Sequence, residues 1–284
     1  MSPLKQMVFL SAVSLLAYSC GNENSASSGT ASDTAKKSAM DTLSGAPANT
    51  VADYKFHNII ANMPSPLELI DLLGKSHAAF DNNLVNPPGN ESKYLTSCRK
   101  ALNFGIYSMD LGYLASNEQY TDIQKFFTVS RSLAKALDAG ESFDKVVSSR
   151  IRNYSENRDT ILKVVDEFYA EVDNYLRSND RLLAATEMLT GAWVETQYIL
   201  LSTLAGAERN SATEPLYKKI GEQRFHLNNL CDLLKSYSSD KEFLSVIKGV
   251  SSLRDAYGAA GNADKAAVEK LLHAVSSVRN TITQ

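Results

Sequence analysis

The chain has 284 residues, 44% of them hydrophobic and 21% charged, with a formal net charge of -3. That mild acidity comes with no basic block, so neither nucleic acid nor an anionic membrane face is an electrostatic partner. Three cysteines are too few for a disulfide framework. The chain also lacks a Gly-x-Ser-x-Gly elbow, a Walker-type phosphate loop and a Cys-x-x-Cys pair, which removes the commonest nucleophilic and redox chemistries.

The first segment carries Lys5 and then an apolar run from Met7 to Ala17, too short to span a bilayer as a stable helix. It ends in Leu15-Leu16-Ala17-Tyr18-Ser19-Cys20-Gly21, with small residues on both sides of the cysteine and a bulky Tyr18 two places before it. This arrangement resembles the lipobox of bacterial lipoproteins. The resemblance implies a signal peptide over residues 1–19 and cleavage before Cys20. It also implies diacylation of the Cys20 thiol, with palmitate-type chains, acylation of the new amine, and a place on the cell envelope at the outer membrane. A plain secretory signal cleaved nearby is the alternative. Each buried acyl methylene contributes ~0.8 kcal/mol, so several chains together make release negligible. Removing residues 1–19 takes away one charge, Lys5, and moves the net charge from -3 to -4.

Residues 20–51 are rich in Ser, Ala, Thr, Gly, Asn and Asp, with almost no large apolar side chain. Such a segment cannot offset the entropy of ordering, and it reads as a disordered tether with a typical reach of roughly 30 Å. Asp33-Thr34-Ala35 and Asp41-Thr42-Leu43 resemble the Asp-Ser/Thr-apolar acceptor of O-glycosylation in Bacteroidota, which implies Thr34 and Thr42 as modified residues.

Residues 52–284 are long enough for one sizeable core and read as all-α: a helical bundle or stacked hairpins of about seven to eight helices. A first helix follows Ser65 as N-cap and Pro66 at the first helical position, fading near Gly74 to His77. Asn86-Pro87-Pro88-Gly89-Asn90 is a break. The next helix spans about Ser92 to Ala115, and a third runs from about Thr121 to Leu137, closed by Ala139-Gly140. Ile161, Val165, Phe168, Val172 and Leu176 mark a long helix ending at Ser178. About Arg181 to Ala207 is the most apolar helix; Glu187 and Glu195 argue against a transmembrane span, so it reads as the central buried helix. Ser211 or Thr213 caps a helix reaching about Ser236, with Leu216, Ile220, Leu227, Cys231 and Leu234 inward. Helices over Lys241 to Tyr257 and Asp264 to Ile282 complete the chain.

Small residues form a row on the second helix: Ala101, Gly105, Ser108, Gly112 and Ala115 lie on one side, where another helix can approach closely. Ala184, Gly191 and Ser202 make a looser row on the central helix. Aligning Gly105 with Gly191 sets Tyr107 against Trp193, the pattern of a duplicated helical hairpin. Leu111-Gly112-Tyr113 with Tyr120 and the amphipathic helix after it resembles part of a tetratricopeptide hairpin over about 35 residues, without a continuing 34-residue period. Large helical glycan-binding lipoproteins of the starch-utilisation type are similar in anchor and hairpins, at about twice this length.

Ligand-binding candidates are Asp110, Glu187 and Glu195. Asp110 sits among Tyr107, Leu111, Tyr113 and Leu114. Either it continues a polar strip from Arg99 and Asn103 that faces water, or it is buried and must be hydrogen-bonded or raised in pKa. Glu187 and Glu195 lie opposite the stripe of Leu182, Leu189, Trp193 and Leu200, along a helix flank, with a cleft shared with Asp110 left open. Cys98 and Cys231 are candidates for a disulfide or for two buried thiols acting as small apolar residues. Glu222 with His226 and Glu269 with His273 have one-turn spacing but project to the polar side, so no metal and no cofactor is expected. His57 and His77 lack ligand neighbours; Gly74-x-x-His77 resembles the metal motif of imelysin-like helical lipoproteins only in part, because the spacing and the following acid differ. The expected function is a non-catalytic envelope module that binds a protein, peptide or glycan. The alternative is a carboxylate- or metal-dependent helical enzyme, distinguished by convergence of Asp110, Glu187 and Glu195 in one pocket.

Overall fold

The computed structural model describes residues 65–147, 157–259 and 263–284, with residues 148–151 described by their backbone alone. The predicted signal peptide and tether, with Cys20, Thr34 and Thr42, lie outside the described residues, as do His57 and the expected domain start at residue 52. The described residues form an all-α fold of nine α-helices: α1 (Pro66–Lys75), α2 (Ser97–Ser116), α3 (Tyr120–Ala136), α4 (Gly140–Ile151), α5 (Arg158–Ser178), α6 (Leu182–Gly206), α7 (Glu214–Leu234), α8 (Leu244–Ala259) and α9 (Lys265–Thr283). Short 3-10 turns at Asn82–Leu84, Pro88–Lys93 and Lys235–Tyr237 join them.

Local chemistry sets the boundaries. The Ser65 side chain accepts from Leu67 N with Pro66 at the first position of α1, and Thr96, Asn157 and Asp264 cap α2, α5 and α9 in the same way. Three interhelical turns share one closure. Glu118, Asp138 and Asp180 take φ of 58, 59 and 57°. The N–H of the residue after each then reaches back five residues: Gln119 to Leu114 O, Ala139 to Ala134 O and Arg181 to Leu176 O, at 2.9, 2.8 and 2.8 Å.

This corrects the sequence reading at Ala139-Gly140. Asp138 supplies the left-handed turn, and Gly140 opens α4, the helix that raises the count above the expected seven to eight. Among the described side chains of α4 only Phe143 and Val147 are fully buried, with Val146 packed against the core beside them, too short a stripe to announce a helix. The second helix also starts later than expected, at Ser97, because residues 88–93 wind as a 3-10 turn.

The core is organised around α2 and α6. Every residue of α2 from Ala101 to Ser116 is buried, as is every residue of α6 from Ala184 to Gln197. Neither helix has a polar face to show water, so both must be surrounded. The packing order repeats in two circuits: α2 packs on α3 and α5, α3 on α4 and α4 on α5, while α6 packs on α7 and α9, α7 on α8 and α8 on α9. The circuits meet where α2 crosses α6, and α1 lies against both central helices.

The crossing is a backbone contact. A Cβ at Gly105 would press into the Met188 carbonyl oxygen and stand 2.7 Å from Ala192 N, and one at Gly191 would press into Leu102 O and stand 2.8 Å from its carbonyl carbon. Backbone cannot swing aside as a side chain can. The small-residue row therefore serves two partners: Gly105 faces α6, whereas a Cβ at Gly112 would meet Leu67 Cδ2 and Ile70 of α1.

An exposed mid-helix Gly→Ala change stabilises by about 1 kcal/mol. At Gly221 of α7 an added Cβ would meet nothing within 4 Å, so Gly221→Ala should show that gain. Gly105→Ala and Gly191→Ala should instead destabilise by roughly 1–3 kcal/mol through overpacking. Denaturant midpoints of the three variants check the reversal of sign.

Candidate functional site

Arg99, Asn103 and Asp110 do form one strip on α2, and it faces protein. The Arg99 guanidinium donates to the carbonyls of Thr281, Ile282 and Gln284 at 3.1, 3.2 and 2.8 Å, and Asn103 Nδ2 donates to Ile282 O at 3.0 Å. These donors satisfy carbonyls that the end of α9 leaves unpaired, with a cation at the negative end of the helix dipole. Asp110 is wholly buried. Its Oδ2 accepts from Asn86 N at 3.0 Å. Asn86 donates in turn to Tyr94 Oη at 2.8 Å.

Beside Asp110 lies an enclosed ion pair. Arg279 of α9 donates to both carboxylate oxygens of Glu195 at 2.6 and 2.8 Å and to Leu84 O at 2.9 Å, and its guanidinium lies 4.2 Å over the Tyr198 ring. Burial pushes the Asp110 carboxyl well above the usual range, Glu195 pushes it further, and Arg279 partly opposes them. With one cation among two carboxyls, a proton on Asp110 leaves the cluster neutral, the arrangement least costly in a water-excluded interior. Asp110 Oδ1 receives no hydrogen bond from a donor among the described residues and is the oxygen left to carry that proton, with the Glu195 carboxylate as its acceptor.

Glu187 stands apart. It shares a face of α6 with Gly191 and Glu195, but eight residues of helix separate the two glutamates by about 12 Å. It lies next to the Cys98 thiol and feels Asp240 and Glu242; burial chiefly, and those two acids, raise its carboxyl to about 7, against the hydrogen bond from Cys98. Two of the three candidates thus converge and the third does not. Neither glutamate lines an exposed flank, since Glu195 is 0% and Glu187 2% exposed.

Cys98 and Cys231 are free and buried, so the disulfide alternative is corrected to two separate thiols. Cys98 faces Glu187, while Cys231 approaches Val250 O at 3.9 Å. Burial raises both thiols, which suppresses the thiolate that reactivity requires.

Of the Glu-x-x-x-His pairs, Glu269 and His273 are exposed as expected. Glu222 is exposed and pairs with Lys219 at 2.7 Å, but His226 points inward and is only 9% exposed. The correction has a visible cause: Gln223, His226 and Leu230 continue the buried side of α7 at steps of three and four. His77 is exposed, at φ 52° after α1. Among the described residues, no group of three or more His, Cys, Asp or Glu side chains gathers as for a metal.

His226 belongs to a second polar region, between α1, α6 and α7. Gln197 Nε2 donates to Gln223 Oε1 and Tyr257 Oη donates to Gln197 Oε1, each at 2.9 Å, while the Trp193 and Tyr257 rings pack at 5.9 Å. Trp193 Nε1 and His226 Nδ1 are buried without a hydrogen-bond partner among the described residues.

Sequence reasoning does not single out Arg279 or Asn86, and it weighs His226 only as an outward-facing pair with Glu222. Arg279 is readable in one respect: it falls four residues after Val275 and three before Ile282, inside the apolar stripe of α9. Compared with protein-family models, with curated proteins and with solved structures, the chain matches none.

The buried acids set the pH dependence. A carboxyl raised by folding contributes stability that is full below its unfolded value and lost as pH rises through its folded value. For Glu187 that window runs from about 4.5 to about 7, and Glu187→Gln should flatten the wild-type decline there by up to about 3 kcal/mol. Denaturant melts at pH 5 and pH 8 measure it. Asp110→Asn keeps an acceptor for Asn86 N and removes a titrating group, so it should match or exceed wild type at pH 8. Arg279→Met leaves a buried charge unpaired and should cost about 3–5 kcal/mol in the same melts.

Proposed function

We propose that this chain is a lipid-anchored protein of the bacterial cell envelope whose helical unit binds a partner and performs no chemistry. The observation that carries the reading is the apolar run of residues 7–17 ending in Ser19-Cys20-Gly21, followed by a polar stretch before the first helix. Among the described residues no helix is long and apolar enough to cross a membrane, so in this reading the acyl chains on Cys20 are the attachment, and residues 20–51 are the spacer that lets the helical unit reach a partner.

The non-catalytic part of the reading is supported by how the carboxylates are used. Glu195 is committed to Arg279, Asp110 is held by Asn86 N, and Glu187 faces a buried thiol. A general acid and base must both reach one substrate atom, and these three groups are split between two enclosed places.

Metabolic labelling with a palmitate analogue, followed by detergent phase separation, tests the anchor. Wild type should be labelled and enter the detergent phase, and Cys20→Ala should lose the label and leave the membrane fraction. An unmodified mature N-terminus by mass spectrometry in the native cell would defeat the proposal.

A further inference from the structure

The surroundings of α1 are uneven. Leu67, Ile70 and Leu73 are buried on its inner face, where it lies on α2 and α6. Toward α5 it is bonded: Ser65 Oγ donates to Asp166 Oδ1 at 2.9 Å, and Arg158 pairs with Asp71. Toward α7 there is instead a groove of about 270 Å³, with Leu69 and Leu72 of α1 on one wall and Gln223 of α7 on the other. Leu72 is only partly buried there.

The charges around this groove balance. Asp71 is met by Lys75 at 2.5 Å and by Arg158, and Glu222 by Lys219 at 2.7 Å. Glu68 is the third acid on the groove, against those three bases. A balanced rim beside two leucines selects neither an anion nor a cation, and it suits an apolar occupant.

The chain carries such an occupant immediately upstream. Residues 52–63, which lie outside the described residues, read Ala-Asp-Tyr-Lys-Phe-His-Asn-Ile-Ile-Ala-Asn-Met. At helical spacing Phe56, Ile59, Ile60 and Met63 share one face, with Ala52 one turn before Phe56, while Asn58 and Asn62 fall away from it. Asp53 and Lys55 cancel in charge. An apolar face of this kind needs a surface to cover it.

The connection restricts where that surface is. Pro64 disfavours helix beyond Asn62 or Met63, and Ser65 already caps α1. A link this short returns a helix antiparallel against its neighbour. The inner face of α1 is taken by α2 and α6, one flank by α5, and the outward positions Glu68 and Lys75 are exposed and charged. The groove is the apolar side that remains. The lengths also match, since the ten residues of α1 rise about 15 Å and twelve helical residues about 18 Å.

We infer that residues 52–63 form a helix docked antiparallel to α1 in the groove between α1 and α7, with Phe56, Ile59, Ile60 and Met63 against Leu69 and Leu72. The inference goes beyond the anchored-module reading and does not depend on acylation of Cys20. It fixes where the spacer meets the helical unit, at the Lys75 end of the groove.

Trypsin reads the docking directly, because Lys36 and Lys37 in the spacer serve as internal references and no Lys or Arg stands between Lys37 and Lys55. The full chain in nonionic detergent is digested, and cleavage after Lys37 and after Lys55 is followed by mass spectrometry. Wild type should be cut after Lys55 at least about tenfold more slowly than after Lys37, since cleavage follows the population of the opened segment. Ile60→Asp should bring Lys55 to the rate of Lys37, with circular dichroism checking that the helical unit stays folded. A disulfide trap locates the contact: Phe56→Cys paired with Leu72→Cys should cross-link on mild oxidation, and Phe56→Cys paired with Ser252→Cys, exposed on α8, should not. The proposal is overturned if wild-type Lys55 is cut as fast as Lys37, if Ile60→Asp keeps the protection, or if the Leu72 pair cross-links no better than the Ser252 pair. Protection that rises with protein concentration would assign the apolar face to a second copy. Protection present in native membranes and absent from the purified chain would assign it to lipid or another envelope component, and either result overturns the docking.

Discussion

The contact between the backbones of α2 and α6 constrains everything built around it. Two helices approach this closely only where side chains are missing from both, and Gly105 and Gly191 provide that gap from opposite sides. Glycine weakens each helix by about 1 kcal/mol relative to alanine; close packing along the crossing is the compensation. Because the two helices are then buried on all faces, each needs its own ring of neighbours, and the circuits of α3 to α5 and α7 to α9 supply them.

The crossing also dictates where polar groups can go. Contacts advance together along both helices: Glu187 lies beside Cys98, Gly191 against Leu102, and Glu195 beside Asp110. No polar side chain fits at the centre, so the carboxylates flank it. On one flank Arg279 arrives from α9 to neutralise Glu195, and Arg99 and Asn103 hold the end of that same helix. The last helix is therefore bound to the second by charge and hydrogen bonds as well as by apolar burial. On the other flank Glu187 has a thiol beside it and only the weak pull of Arg181, and burial raises its carboxyl to about 7. Such buried polar groups add little net stability, since desolvation offsets most of their attraction.

What can be read from the sequence follows the same physics. Helices with strong stripes or clear caps are legible: α1 from Ser65-Pro66, α5 from its Ile161 to Leu176 stripe, and α6 from its lack of any polar face. The Gly105 and Gly191 rows signal close packing, but the sequence aligns the two glycines only as equivalent positions of a repeat, and that they meet at one crossing is seen in the structure. The split of Gly105 toward α6 and Gly112 toward α1 is not legible, because periodicity gives a face and not the neighbour on it. α4 escapes a sequence reading because its apolar stripe is short. Gly140 reads as a helix end because glycine is the commonest left-handed residue there, whereas Asp138 holds that φ.

For the site, the sequence marks Asp110 as an anomaly, one charge on an otherwise uncharged stretch. The ion pair beside it depends on α9, some 170 residues later by the numbering of Arg279, and a long-range partner leaves no local trace. Glu187 and Glu195 are separable on spacing alone, since two turns of helix keep them apart. The charged neighbours of His226 suggest an outward face, yet a buried flank of Gln223, His226 and Leu230 runs beside the stripe of Leu216, Ile220 and Leu227.

A double-mutant cycle at Gly105 and Gly191 tests the central claim most directly. If both glycines relieve one and the same backbone contact, the first alanine separates the helices and the second adds little, so the pair should cost less than the sum of the singles by about 1 kcal/mol or more. Additive costs within about 0.3 kcal/mol would show that the two glycines act independently, and a fold organised around a shared α2–α6 crossing would be contradicted.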